Sequence, residues 1–209
     1  MSYKLRPATF ALSIGLILTL PACGSDERPG APTKTGRAAP STAAPSPTSS
    51  TNADGTLKGG TTLKLGQAAL LRYDTGDLKG TLQVTVTRIE KGSSADLKVL
   101  SGLSKDALRA TPYYVHSVIK NAGTTDLSHA PIDPPTGVLK DGTQARGLSV
   151  IGTFDKCDAF PKTAHFRPGA SYESCSPVLA DPGATVTGAA WTGQGYDDLP
   201  SSAGVSWTQ

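Results

Sequence analysis

The sequence predicts an all-β domain of antiparallel strands, most simply a two-sheet sandwich, behind an exported leader and a long polar linker. Three observations carry this reading. Apolar residues recur with a period of two over most of the C-terminal part of the chain. Clusters of Gly, Pro and Asp cut that part into pieces of strand length. The stretch so divided, residues 57–209, is long enough for one domain with one core. Seven or so short strands in such a chain make a sandwich. A closed barrel shows the same pattern and stays open as the competing architecture.

Each element rests on its own residues. In TLQVTVTRIE (81–90), Leu82, Val84 and Val86 alternate with Gln83, Thr85 and Thr87, giving one oily face and one polar face. In PYYVHSVIKNAG (112–123), Tyr113, Val115 and Ile119 share one face, and Tyr114, His116, Val118 and Lys120 the other, before Asn121-Ala122-Gly123 turns the chain. Further strands are expected at Ala68–Tyr73, Ala145–Ile151, Ala170–Pro177 and Thr185–Trp191, with Val205–Trp207 closing an edge. Only Leu97–Arg109 has helical spacing, through Leu100, Leu103 and Ala107. Ser104 can cap a short turn there that ends before Thr111-Pro112, so one short helix is expected in a long crossing loop.

The N-terminal region reads differently. Lys4 and Arg6 precede an uncharged apolar run from Ala8 to Leu20. As a helix this run spans roughly 20 Å, short of a bilayer core of about 30 Å, which favours a signal peptide over residues 1–22 above a permanent span. Leu20-Pro21-Ala22-Cys23 resembles the bacterial lipobox, with Pro21 in a slot that usually holds a small or β-branched residue. The resemblance implies acylation of the Cys23 thiol and a lipid-anchored chain on the extracytoplasmic face of the cell membrane. More than one acyl chain is needed for stable anchoring. Ordinary secretion with cleavage after Ala22 is the alternative. Residues 23–56 are rich in Pro, Ser, Thr and Ala, with no large apolar side chain before Leu57. Such a segment is expected to be a disordered linker, reaching about 30 Å as a coil and roughly 100 Å in polyproline II form. Its Ser, Thr and Pro content also suits glycosylation.

With Cys23 assigned to the anchor, Cys157 and Cys175 remain. Two thiols in an exported chain most simply form one disulfide, worth about 3 kcal/mol for a loop of this length. Two cysteines alone lack the further ligands that zinc wants. Residues 57–209 carry 15 Lys and Arg against 14 Asp and Glu, without a basic cluster, which argues against nucleic acid as a partner.

The ordered blocks GTLQVTVTRIEKG, PYYVHSVIKNAGTTDL, LKDGTQ and HFRPGASYESCSPVLADPGATVTGAAW resemble a known family: the lipid-anchored, immunoglobulin-like domains of unknown function in actinobacterial and other Gram-positive lipoproteins. Ile119, Asn121 and Gly123 match its V-x-N-x-G strand end, Asp141-Gly142 its D-G turn, and Arg167-Pro168-Gly169 its Pro-Gly turn. The similarity covers most of residues 60–192. It implies an immunoglobulin-like sandwich and an envelope location, and no catalytic residues.

Stretches that invite sharper chemistry each have a plainer reading. Asp74-Thr75-Gly76 matches the aspartic-protease triplet, but those enzymes need a second such carboxylate, and a turn explains the residues. His116, His129 and His165 lack metal-site spacing; His129, near Asp133 in SHAPIDPP, is the more exposed candidate. Gly193-Gln194-Gly195 lacks the third Gly of a phosphate loop. Asp197-Asp198 offers oxygens for a weak calcium contact, against a solvated loop. Trp191, Tyr196 and Trp207, with His129, form a candidate contact surface for a protein or glycan partner. Aromatics are only 6% of the chain and a small β core needs them, which favours packing instead. The expectation is a non-enzymatic, surface-tethered binding module without a cofactor. An envelope hydrolase, a thiol-redox protein and a solute-binding lipoprotein are the alternatives.

Overall fold

The computed structural model describes residues 51–159, 162–196 and 204–209, all within one compact unit. The leader, Cys23 and the linker as far as residue 50 lie outside the described residues, as does the Asp197-Asp198 pair. The described chain is mostly β, in two largely antiparallel sheets with two short helices.

The larger sheet has five strands. It contains β2 (Ala68–Asp74), β3 (Lys79–Lys91), β4 (Thr111–Asn121), β6 (Arg146–Gly147) and β7 (Ser171–Ala180), in the order β2-β3-β4-β7-β6. The smaller sheet contains β1 (Thr62–Lys64), β5 (Thr136–Leu139), β8 (Val186–Trp191) and β9 (Val205–Thr208), in the order β1-β9-β8-β5. Its one parallel pair is β1 with β9. The two sheets share a core. Leu71, Leu82, Val84, Val86, Val115 and Ile119 from the first meet Leu63, Val186, Ala189, Trp191, Val205 and Trp207 from the second.

The alternation read from the sequence accounts for this core, and one irregularity explains its break. Leu82, Val84 and Val86 face inward, but the next inward residue is Ile89, three positions on. A β-bulge between Val86 and Arg88 supplies the extra residue, Thr87, whose hydroxyl donates to the His116 carbonyl. The β2–β3 turn is Asp74-Thr75-Gly76. Gly76 takes φ 83° and its N–H donates to Asp74 Oδ1, while Asp74 Oδ2 pairs with Lys79 at 2.9 Å. The protease-like triplet is a hairpin turn.

Several expectations are corrected. Two short helices, α1 (Ser94–Leu97) and α2 (Lys105–Arg109), replace the single one expected, with Ser104 capping the second by accepting from Ala107 N–H. The strand expected at Ala145–Ile151 shrinks to the two residues of β6. Beyond Gly147 the chain leaves the edge, and Leu148 and Val150 pack with Leu97, Ala107, Ala110 and Leu179 against the back of the larger sheet. Strands β1 and β5 were not foreseen, being too short for alternation to show. Residues 51–56, grouped with the linker by composition, are folded. Thr51 bridges to Leu57, and buried Thr56 donates through N–H and hydroxyl to Asp54 Oδ1.

The outer face of the larger sheet is half covered. Tyr114 lies under Phe154, edge to face with ring centroids 5.8 Å apart, and its hydroxyl donates to Asp96 Oδ2 at the start of α1. Cys157 bonds to Cys175 on β7 and holds the covering loop down. Next to Cys175 across the strands is His116, whose Nε2 has no hydrogen-bond partner among the described residues.

Burial, then the Arg88 charge, depress the His116 imidazole below its ordinary 6.5; Glu90 and Glu173 oppose this without prevailing. The folded state therefore binds this proton more weakly than the unfolded chain. Stability is full above pH 6.5 and declines as pH falls through the folded pKa. Urea unfolding between pH 7 and pH 5 should show that decline, and His116→Gln should flatten it. An identical pH profile in the variant would mean that the decline originates elsewhere.

Candidate functional site at the loop end

Of the residues singled out from sequence, Cys157 and Cys175 are bonded, with Cα atoms 5.3 Å apart and both side chains buried. Trp191, Tyr196 and Trp207 are 2%, 4% and 0% exposed, which corrects the contact-surface expectation. They belong to the shared core, because a small two-sheet body has few other side chains large enough to fill it. Tyr196 O–H donates to the Leu57 carbonyl at 2.6 Å, and Trp207 Nε1–H to the Gln67 carbonyl at 2.9 Å. His129 is exposed. Among the described residues, no three His, Cys, Asp or Glu side chains sit together as a metal site, and no helix is long and apolar enough to cross a membrane.

The register places three connections at one end of the molecule. They are the β2–β3 turn, the long β4–β5 connection (122–135) and the turn after β8 (192–196). Asn121 organises the first layer. It is fully buried, its side-chain amide donates to the carbonyls of Thr125 and Phe166, each at 2.9 Å, and its Oδ1 accepts from Gly123 N–H. Gly123 lets the chain pass close to β3, since a Cβ there would stand 3.0 Å from Thr81 N and would have to push it back by a few tenths of an ångström. Leu127, Ala130 and Ile132 then dip into the core. Asn121→Ala would leave the Thr125 carbonyl without its donor and remove one of two donors from the Phe166 carbonyl, which keeps the Leu127 N–H, and we expect a loss of about 1–3 kcal/mol in urea unfolding. A loss under about 1 kcal/mol would contradict this role.

Gln194 organises the second layer. Its side-chain amide donates to Pro131 O and to Asp133 Oδ2, its Oε1 accepts from Asp133 N–H, and its carbonyl accepts from Asp74 N–H. This one residue ties the β4–β5 connection to the turn after β8 and to the end of β2. It does so at φ 48°. His129 at φ 63° is the other non-glycine residue with positive φ among those described. His129 N–H donates to the Thr163 carbonyl at 2.7 Å, which holds that conformation. Left-handed backbone outside glycine costs energy and concentrates at sites that need a fixed shape.

Between these loops lies a cleft of about 180 Å³ lined by Asp133, Pro134, Thr136, Trp191, Thr192 and Gln194. In the core behind this end, three buried polar atoms have no hydrogen-bond partner among the described residues: Tyr73 O–H, Tyr172 O–H and Trp191 Nε1–H. Burial raises both phenol pKa values, and the Asp133 carboxylate raises them further. Thr75 lies near enough to pull Tyr73 partly back, without completing a hydrogen bond. Both phenols thus stay protonated at neutral pH. They are donors, not nucleophiles. These atoms lie in the core and do not reach a partner, and the Gln194 amide is engaged with Pro131 and Asp133, so the exposed Asp133 carboxylate is the rim group that a polar partner can meet.

Sequence reading reached two parts of this arrangement, His129 and Trp191, though in other roles. It met Gln194 only within Gly193-Gln194-Gly195, as an incomplete phosphate loop, and it read Asn121 as a strand end. No family model matches the chain, and no curated protein or solved structure matches it significantly.

Proposed function

We propose that this chain is a non-enzymatic binding module of the bacterial envelope, anchored through acylated Cys23, with an immunoglobulin-like sandwich held outside the membrane on a linker. The leader, the lipobox-like LPAC and the polar stretch after it support the placement. Two mostly antiparallel sheets around one core support the sandwich. Its disulfide joins a covering loop to β7 rather than one sheet to the other, so it clamps an excursion.

The observation that carries the binding role is the loop end itself. Gln194 holds left-handed backbone at a cleft whose rim groups are Asp133 and Gln194, and His129, in the same β4–β5 connection as Asp133, holds it too. Fixed loops at one end of a rigid two-sheet body are a common way to present a binding face. The partner is an envelope or extracellular protein or glycan that offers hydrogen-bonding groups.

The test is capture from intact envelopes by the exported chain, alongside Asp133→Ala and Asp133→Ala/His129→Ala. Both side chains are exposed, but Asp133 Oδ2 accepts from Gln194 and His129 sits at φ 63°, so the thermal unfolding of each variant is measured alongside, and only capture by variants that unfold like the parent is compared. Saturable capture that weakens about tenfold in the double variant is the expected result. Capture that is absent, or equal in all three proteins, would reject the loop end as the binding face.

A further inference from the structure

Three of the four sheet edges are closed by bonds from their own chain. On β2, the Leu70 carbonyl accepts from Leu57 N–H, Arg72 N–H donates to the Tyr196 hydroxyl oxygen, and Asp74 N–H donates to the Gln194 carbonyl. On β5, the Gly137 carbonyl accepts from Ala145 N–H, and Leu139 N–H donates to the Thr143 carbonyl. The β1 edge is three residues long, and its Lys64 N–H donates to the Gln67 side chain. Short or covered edges keep a sheet from pairing with another chain.

The fourth edge is different. Strand β6 covers β7 only at Val178 and Leu179, and Leu148 N–H adds one bond to the Pro177 carbonyl. There the ladder stops. Ala170 O accepts from Asn121 N–H on the β4 side, so the even-numbered residues of β7 turn their backbone groups to β4 and the odd-numbered ones turn theirs outward. The N–H and C=O groups of Ser171, Glu173 and Cys175 therefore point outward, with no backbone partner among the described residues. Ser171 and Glu173 are exposed, whereas Cys175 is 4% exposed. The disulfide stands where the ladder ends. It returns the excursion that begins at Leu148 to β7 at Cys175, the first outward residue beyond Pro177.

We infer that the disulfide and Glu173 together guard the β7 edge against a second copy of this chain. The outward residues are spaced evenly about Glu173, so a second β7 running antiparallel matches all three at once: Ser171 meets Cys175 of the copy, and Glu173 meets its own equivalent. That alignment satisfies every outward N–H and C=O. It also sets two carboxylates directly opposite each other, and like charges so placed repel. The bridge blocks the same alignment sterically, since Cys157 occupies the place beside Cys175 that the copy's chain needs. Cutting the bridge lengthens the open stretch from 171–173 to 171–175 and leaves Glu173 as the remaining guard. The shared core lies in a separate cluster, so the body should stay folded without the bridge.

Residues 51–209 contain both sheets, their shared core and the disulfide, so they are a folded unit that can be tested without the leader. Sedimentation velocity over a range of protein concentrations reads self-association, and circular dichroism reads the fold. The parent should be a monomer, and so should Glu173→Thr with the bridge intact. Cys157→Ala/Cys175→Ala should stay folded and self-associate weakly. Adding Glu173→Thr to it should tighten that association about fivefold, because the opposed charges are gone. A mixture of the bridgeless chain with its Glu173→Lys form should associate more tightly than either alone, since Glu then faces Lys. A bridgeless chain that stays monomeric with Glu173→Thr overturns the inference. So does one that unfolds outright, because the bridge would then be holding the core. Association that is equal in every bridgeless form would place the contact elsewhere, and a Glu173→Thr chain that pairs with its bridge intact would remove the bridge as a guard.

Discussion

Trp207→Ala should lower the unfolding free energy by about 3–5 kcal/mol, the largest effect expected of any single substitution here. Trp207 is fully buried on β9, opposite Leu63 of β1 and Ala189 of β8. Its indole fills the space between the sheets, and its N–H donates to the Gln67 carbonyl. Truncation opens a cavity and leaves that carbonyl unpaired. Collapse cannot refill the space easily, because β9 is pinned on both sides. Gly188 opposite leaves so little room that a Cβ there would meet the Trp207 carbonyl oxygen at 2.6 Å. For a domain of this size the melting temperature should fall by roughly 10–15 °C. Trp207→Phe, which keeps much of the volume and loses the hydrogen bond, should cost about 1–2 kcal/mol. Urea unfolding followed by far-UV circular dichroism measures both. A near-zero loss for the alanine variant would remove Trp207 from the core.

The second large effect concerns the bridge. Replacing Cys157 and Cys175 together by Ala should cost about 3 kcal/mol by the loop-closure argument, for cysteines 18 positions apart. The bridge also sets where the loss is felt. It holds the loop carrying Phe154 over Tyr114, so hydrogen exchange should speed up first in residues 150–157 and at Tyr114. The shared core between the sheets should open only with global unfolding. Trp207 and the bridge lie in separate clusters, so their costs should add. A thiol titration of the native folded domain should find neither the Cys157 nor the Cys175 sulfhydryl free. Two reactive thiols, with unchanged stability in the double variant, would contradict the clamp.

The residues show what sequence reasoning reaches and where it stops. Long strands were legible because one face of each is oily: β3 and β4 declare themselves through Leu82, Val84, Val86 and Tyr113, Val115, Ile119. The short β1 and β5 were not, because three or four residues cannot show a period, and Pro134-Pro135 ahead of β5 reads as loop. The false strand at Ala145–Ile151 has the same apolar alternation as a real one. What differs is the surface it covers, the back of the larger sheet, which the sequence does not state. The aromatic residues were ambiguous for a related reason. Trp and Tyr serve core and interface equally, and only the count of alternatives favoured the core. At the loop end, the backbone shape depends on contacts across large separations, such as Gln194 with Pro131, Asp133 and Asp74. No local motif encodes those.

The measurement closest to the heart of the proposed role is intact-mass analysis of the mature chain recovered from membranes of an expressing bacterium. The account requires a polypeptide that starts at Cys23 and carries at least a diacylglyceryl group on its sulfur. A chain found wholly in the culture medium with an unmodified Cys23 amino terminus, or one that keeps residues 1–22, would contradict it.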